Sequence, residues 1–126
     1  MKILENAKYT KDHEWVLVDG NIGTIGITDY AQGELGDVVF VDIASDLAEI
    51  SKDKSFGTIE AVKTVSDLFA PFNGKVIEIN KNLADSPELV NTDPYGEGWM
   101  IKAELKNPAD LDDLLNANAY KSLIGQ

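Results

Sequence analysis

Groups capable of chemistry are sparse in this chain of 126 residues. Its single histidine, His13, rules out the multi-histidine centres that hold catalytic zinc, and the absence of cysteine removes disulfides, thiolate metal sites and a cysteine nucleophile. A Ser/His/Asp arrangement would have to use His13, yet no Gly-x-Ser-x-Gly turn occurs, and no Gly-rich phosphate loop leads into a helix. Carboxylates abound, but in an acidic chain most of them serve solvation. Any reactive group is therefore expected from outside the chain. The place for it is Glu60-Ala61-Val62-Lys63-Thr64, where a lysine stands among small and apolar residues. An ordinary surface lysine would lay its stem over Val62 and Val65. A lysine at the tip of a hairpin would instead offer a free amine to a modifying enzyme, with Ala61 leaving room, and acylation would remove its charge.

Composition narrows the partners. All 11 basic residues are lysine, against 22 acidic ones, giving a net charge of −11 and a pI of about 4.3. Without arginine, and with so few cations, binding to nucleic acid is not expected. The longest apolar runs, such as Val38 to Val41, are strand-sized and far short of a membrane span. Met1-Lys2-Ile3-Leu4-Glu5-Asn6 has no secretory pattern, so a cytoplasmic protein is the expectation. The chain, 44% hydrophobic, has the length of a single domain spanning 1–126.

The elements that must position Lys63 read as mostly β. Trp15 to Val18 and Ile22 to Ile27 flank the turn Asp19-Gly20-Asn21, forming an early hairpin. Thr28-Asp29 caps a short helix, Tyr30 to Leu35, stopped by Gly36. Asp37 to Ile43 is a strand whose nearly continuous apolar run predicts burial on both faces. Ser55 to Phe72 stays open: Ile59, Val62, Ser66 and Phe69 fall near helical spacing, while the density of β-branched residues favours strand–turn–strand. Asn73-Gly74 is a turn and Lys75 to Asn80 a strand. Asp85 to Val90 is a helical turn with Pro87 at its first position. Gly98-Trp99 is a turn followed by a core anchor, and Trp99 to Leu105 is the last strand. A β core of about 13–105 is then followed by a C-terminal helical extension of about 108–124.

Gly57-Thr58-Ile59-Glu60-Ala61-Val62-Lys63-Thr64-Val65-Ser66-Asp67-Leu68, followed by Ala70-Pro71-Phe72-Asn73-Gly74-Lys75-Val76, resembles the lipoyl-attachment hairpin of the glycine cleavage system H-protein family. The resemblance continues in order through Tyr9, His13-Glu14-Trp15-Val16, Gly26 to Gln32, Leu35 to Val41, Asn91 to Gly96 and Gly98 to Lys102. It implies a flattened barrel-sandwich hybrid of two small antiparallel sheets, with short helices and a C-terminal helix outside, and it implies the hairpin at 55–72. Ala61 stands where the family usually has serine, a conservative change.

The resemblance further implies a non-catalytic carrier, with lipoic acid in amide linkage to Lys63. Glycine decarboxylase, a pyridoxal-phosphate enzyme, would load an aminomethyl group onto the lipoyl disulfide. The aminomethyltransferase would release ammonia and pass the one-carbon unit to tetrahydrofolate. Dihydrolipoamide dehydrogenase would reoxidise the dithiol, and lipoyl-attaching enzymes would install the arm. Water can destroy the loaded arm, so its ammonium is expected against carboxylates in a partly dry cleft, with Glu14 and Asp67 as candidates and Asp12 where relatives often have serine. His13 and Trp15 are expected to be structural, and Glu34 is given no role. Other readings are a lipoyl donor in relay to oxo-acid dehydrogenases, a biotin-type carrier (though no methionine flanks Lys63) and a binding module whose lysine stays unmodified.

Overall fold

The computed structural model describes all residues, 1–126. Its strands are β1 (Lys8–Tyr9), β2 (Glu14–Asp19), β3 (Ile22–Ile27), β4 (Val38–Asp42), β5 (Glu49–Ile50), β6 (Ser55–Ala61), β7 (Val65–Phe69), β8 (Gly74–Ile79) and β9 (Ile101–Leu105). They form two antiparallel sheets, one of six strands in the order β1-β2-β3-β9-β8-β5 and one of three in the order β4-β6-β7. Short helices α1 (Asp29–Leu35), α2 (Asn82–Asp85), α3 (Leu89–Thr92) and α4 (Ala117–Leu123) lie between or after them. The main core forms where the sheets face each other, from Val16, Ile25 and Ile101 of the larger sheet to Val41, Ile59 and Leu68 of the smaller.

Local chemistry accounts for the parts that frame the site. In the β2–β3 hairpin Asp19 pairs with Ile22, so Gly20 and Asn21 make a two-residue turn, and Gly20 takes the left-handed φ of +65° that a glycine supplies at little cost. Across the same hairpin Trp15 lies over Gly26, where a Cβ would come within 2.7 Å of the indole. Thr28 caps α1 by accepting from the Ala31 N–H, and Gly36 ends it at φ 78°.

Four readings of the sequence need correction. β4 is not buried on both faces: Val38 and Val41 point inward, but Val39 and Phe40 are half exposed. It belongs to a three-stranded sheet with a bulge between Val38 and Phe40, and nothing covers the outer face. The C-terminal segment is not one helix. A 3-10 helix, Pro108–Asp113, stops before Leu115 pairs with Tyr9 of β1, and α4 restarts with Asn116 as its cap. The helical signal near Pro87 is split into α2 and α3 on either side of it. Trp99 is only partly buried, its ring lying 4.9 Å from the Lys102 ammonium, and the residue fully inside the core is Met100.

Candidate functional site

β6 and β7 pair in register, Ile59 with Ser66 and Glu60 with Val65, and meet in a tight turn with Val62 and Lys63 at its centre. The Ala61 N–H donates to the Thr64 carbonyl at 2.8 Å, and the Val62 N–H donates to the Asp37 carbonyl at 3.0 Å. The second bond ties the tip to the residue preceding β4, so the bend is held from both sides. Lys63 is exposed and has neither an ion pair nor a side-chain hydrogen bond. Such an amine stays free for a macromolecule to reach.

At the base of the hairpin lies a cleft of about 320 Å³ lined by Asp12, His13, Glu14, Ile27, Tyr30, Ala31, Glu34, Leu35, Ile59, Ser66, Asp67 and Leu68. Glu14, Asp67 and Asp12 thus share one cleft. Three consecutive residues of β7 line it because β7 is an edge strand, so both of its faces and its unpaired backbone edge border the opening. Its lining is apolar at Ile27, Ala31, Leu35, Ile59 and Leu68 and carries the carboxylates of Asp12, Glu14, Glu34 and Asp67, with no lysine among them. A site of this kind suits a small apolar body bearing a cationic head.

The loop between β1 and β2 places the acids. The His13 N–H donates to the Thr10 carbonyl and the Thr10 N–H donates to the Glu14 carbonyl, enclosing the three residues Lys11, Asp12 and His13. His13 adopts φ 72°, the left-handed residue that such three-residue loops require. Asp12 is left exposed, while Glu14, two residues on, is only 2% exposed. The Thr10 hydroxyl donates to Glu14 Oε1 at 2.6 Å and accepts from the Glu14 N–H at 3.0 Å. The Phe69 N–H points at Oε2 from 3.4 Å, a long bond from the end of β7. Burial pushes the Glu14 carboxyl up to about 7, against the pull of these hydrogen bonds toward the charged form, with Asp12 adding to the rise.

His13 is fixed from the other end of the chain. Its Nδ1 lies 2.9 Å from the Tyr120 hydroxyl, which is also 2.7 Å from Thr28 Oγ1. The network closes when Thr28 donates to Tyr120 and Tyr120 donates to Nδ1, which leaves the imidazole proton on Nε2. Burial lowers the His13 pKa, opposed by Asp12 and Glu34, which favours the neutral ring. Structural duty, as the sequence suggested, and a place on the cleft wall therefore coincide.

Sequence reasoning missed Thr10, Tyr30 and Glu34. The four-residue spacing of Tyr30 and Glu34 puts them on one face of α1, and both line the cleft. Thr10 was legible only through β1, a strand of two residues that has no periodicity to detect.

A family model described as "Glycine cleavage H-protein" matches residues 7–126. The chain belongs to the glycine cleavage H-protein family. Curated relatives agree over nine-tenths or more of their lengths. The glycine cleavage system H protein of Staphylococcus carnosus is 54% identical over 126 residues, 100% of both chains. That of Symbiobacterium thermophilum is 58% identical over 115 residues, 91% of this chain and 90% of its own. A crystal structure of the glycine cleavage system H protein from Mycobacterium marinum superposes with a TM-score of 0.89 at 36% identity, covering 98% of this chain and 100% of that one. The mostly β architecture of two antiparallel sheets is thus a property of the family, whose function is that of a lipoyl-carrying shuttle in the glycine cleavage system. No helix here is long and apolar enough to cross a membrane.

Proposed function

We propose that Lys63 carries lipoic acid in amide linkage and that the whole chain, 1–126, acts as one non-catalytic carrier domain. In this reading the loaded arm travels between glycine decarboxylase, the aminomethyltransferase and dihydrolipoamide dehydrogenase in the cytoplasm. The observation that carries it is the pairing of one free amine on a pinned bend with a carboxylate-lined cleft along the same hairpin. For attachment, the neutral Lys63 amine attacks the carbonyl carbon of lipoyl adenylate, a mixed anhydride of lipoate and AMP. The C–N bond forms, the C–O bond to phosphate breaks, AMP leaves with the bonding pair, and one proton is released.

The lipoyl group supplies the disulfide that accepts the aminomethyl unit and that becomes a dithiol when the unit is passed on. The chain supplies reach, a dry wall and a counter-charge. Lys63 and Asp67 are four residues apart, about 13 Å along a strand, and a lysyl side chain extended by a pentanoyl tether spans about 14 Å. The arm can therefore fold back along β7. Ile27, Leu35, Ile59 and Leu68 would exclude water from its apolar part. Glu14 would hold the ammonium, with Asp67 and then Asp12 nearer the mouth, and the added cation would relieve the unfavourable burial of the Glu14 charge.

Intact mass tests the attachment. Treatment with lipoate, ATP and a lipoate–protein ligase should add one lipoyl group to the wild type and none to Lys63→Arg. A biotinyl adduct from the native source, or lipoylation elsewhere, would overturn the assignment. The clamp is tested by the spontaneous decay of the aminomethyl-loaded protein, which should be about tenfold faster in Glu14→Gln. Asp67→Asn should have a smaller effect and Asp12→Asn the smallest. Unchanged lifetimes in all three would remove the clamp while leaving the attachment standing.

A further inference from the structure

Four of the eight large apolar side chains exposed anywhere on the molecule lie together around Lys63: Val39 at 50%, Phe40 at 49%, Val62 at 72% and Val65 at 61%. Register puts Phe40 opposite Glu60 and Glu60 opposite Val65, so these three side chains line one row on the outward face of the three-stranded sheet. Val39 is the extra residue of the β4 bulge and stands beside them, and Val62 sits on the bend itself. No element of the chain covers this face, although an isolated exposed valine on a strand would need no comment. Lys63 is the only basic residue in β4, β6, β7 and the turn that joins the last two, while the exposed Glu60 carboxylate stands between Phe40 and Val65 in the row and Asp42 and Asp67 are exposed one pair further along.

We infer that this outward face is the docking surface for the enzyme that acylates Lys63, whose own face is apolar where it meets Phe40, Val39, Val62 and Val65 and cationic where it meets Glu60, Asp42 and Asp67. The inference rests on the carrier reading above. Reach decides between candidate occupants. Before acylation the amine stands only a lysine's length from the backbone, about 6 Å, so an enzyme that brings an activated carbonyl to Nζ must cover the strands beside it. Enzymes that act on the far end of the finished arm meet it about 14 Å out and have no need of Phe40. The exposed acids call for cations on the partner, one of them opposite Glu60, and the apolar side chains on either side of that carboxylate supply the dry contacts on which affinity concentrates.

The test compares two reactions on the same variants. Unmodified wild type, Phe40→Thr, Val39→Thr and Phe40→Leu are acylated by a lipoate–protein ligase with lipoate and ATP, and lipoylation is followed by intact mass. The fully lipoylated forms are then reduced by dihydrolipoamide dehydrogenase with NADH. Phe40→Thr should lower kcat/KM for acylation about tenfold through KM, Val39→Thr should lower it less, and Phe40→Leu should keep most of it, while reduction stays within about twofold throughout. Thermal melts of the unmodified variants check that the fold survives. Equal acylation of wild type and Phe40→Thr would overturn this surface and leave the carrier reading intact, as would an equal fall in both reactions. Failure of the wild type to be acylated at all would overturn both.

Discussion

Glu14 is the residue on which the chemistry and the stability of the protein conflict. A carboxyl 2% exposed is held by one hydroxyl at 2.6 Å and one long backbone bond, and no cation lines the cleft to meet it. Its pKa rises from 4.5 to about 7. A group with a raised folded-state pKa contributes its stability below the unfolded value and loses it as pH climbs through the folded one, because the native state keeps a proton that the unfolded chain has released. Between these two values the empty protein should lose about 3 kcal/mol to this single ionisation. Glu14→Gln should therefore melt several degrees higher than the wild type near pH 8, by about 2 kcal/mol, and match it near pH 4. Asp12, His13, Glu34 and Asp67 also line the cleft and are present in both proteins, so the difference between the two melting profiles reports on Glu14. A variant that is more stable when empty and less protective when loaded would identify the carboxylate as kept for its task.

At the level of elements, how much could be read from residue types depended on length and local chemistry. The β2–β3 hairpin and α1 were legible because Gly20, Thr28 and Gly36 each satisfy a backbone need that few other residues meet. The hairpin carrying Lys63 was not settled by pattern. Its turn has no glycine, asparagine or proline, and Ile59, Val62, Ser66 and Phe69 imitate a helical stripe, so the family resemblance had to decide. Lys63 stood out by its small and apolar neighbours and took its role from that resemblance, Glu14, Asp67 and Asp12 came from the resemblance alone, and Thr10 and the outward row at Phe40 depend on strand pairings that the sequence does not announce. The break in the C-terminal helix is tertiary in origin: Leu115 exchanges both backbone hydrogen bonds with Tyr9, at 2.8 Å each, which an unbroken helix would forbid. That break aims α4 so that Tyr120 stacks on Tyr9 at 4.4 Å and reaches His13 and Thr28. Tyr120→Phe leaves the buried Thr28 hydroxyl and the half-buried His13 ring each short of a partner, so it should cost about 1–2 kcal/mol and lower the melting temperature by a few degrees. It should also loosen the loop that holds Asp12 and Glu14, which amide exchange at Thr10 and Glu14 would register as lost protection.

Across the whole molecule the two sheets divide their work. The six-stranded sheet carries the second cluster, formed by Ala7, Tyr9, Trp15, Ala117 and Tyr120 where α4 meets β1 and β2. The three-stranded sheet carries the amine, the apolar row and one side of the cleft. β7 has a single neighbour, β6, so no strand pairs with its other margin, where the Phe69 N–H meets Glu14 and the Thr64 and Ser66 hydroxyls donate to the Val65 and Asp67 carbonyls at 3.4 Å each. A strand margin of this kind is a template on which another chain can add, and the charge of Asp67 blunts it only in part. An arm lying in the cleft would shield that margin, so storage behaviour should depend on modification. In concentrated stocks held for weeks, light scattering should climb sooner for protein lacking its arm than for fully lipoylated protein, and gatekeeping against sticky self-association becomes a second benefit of carrying the cargo.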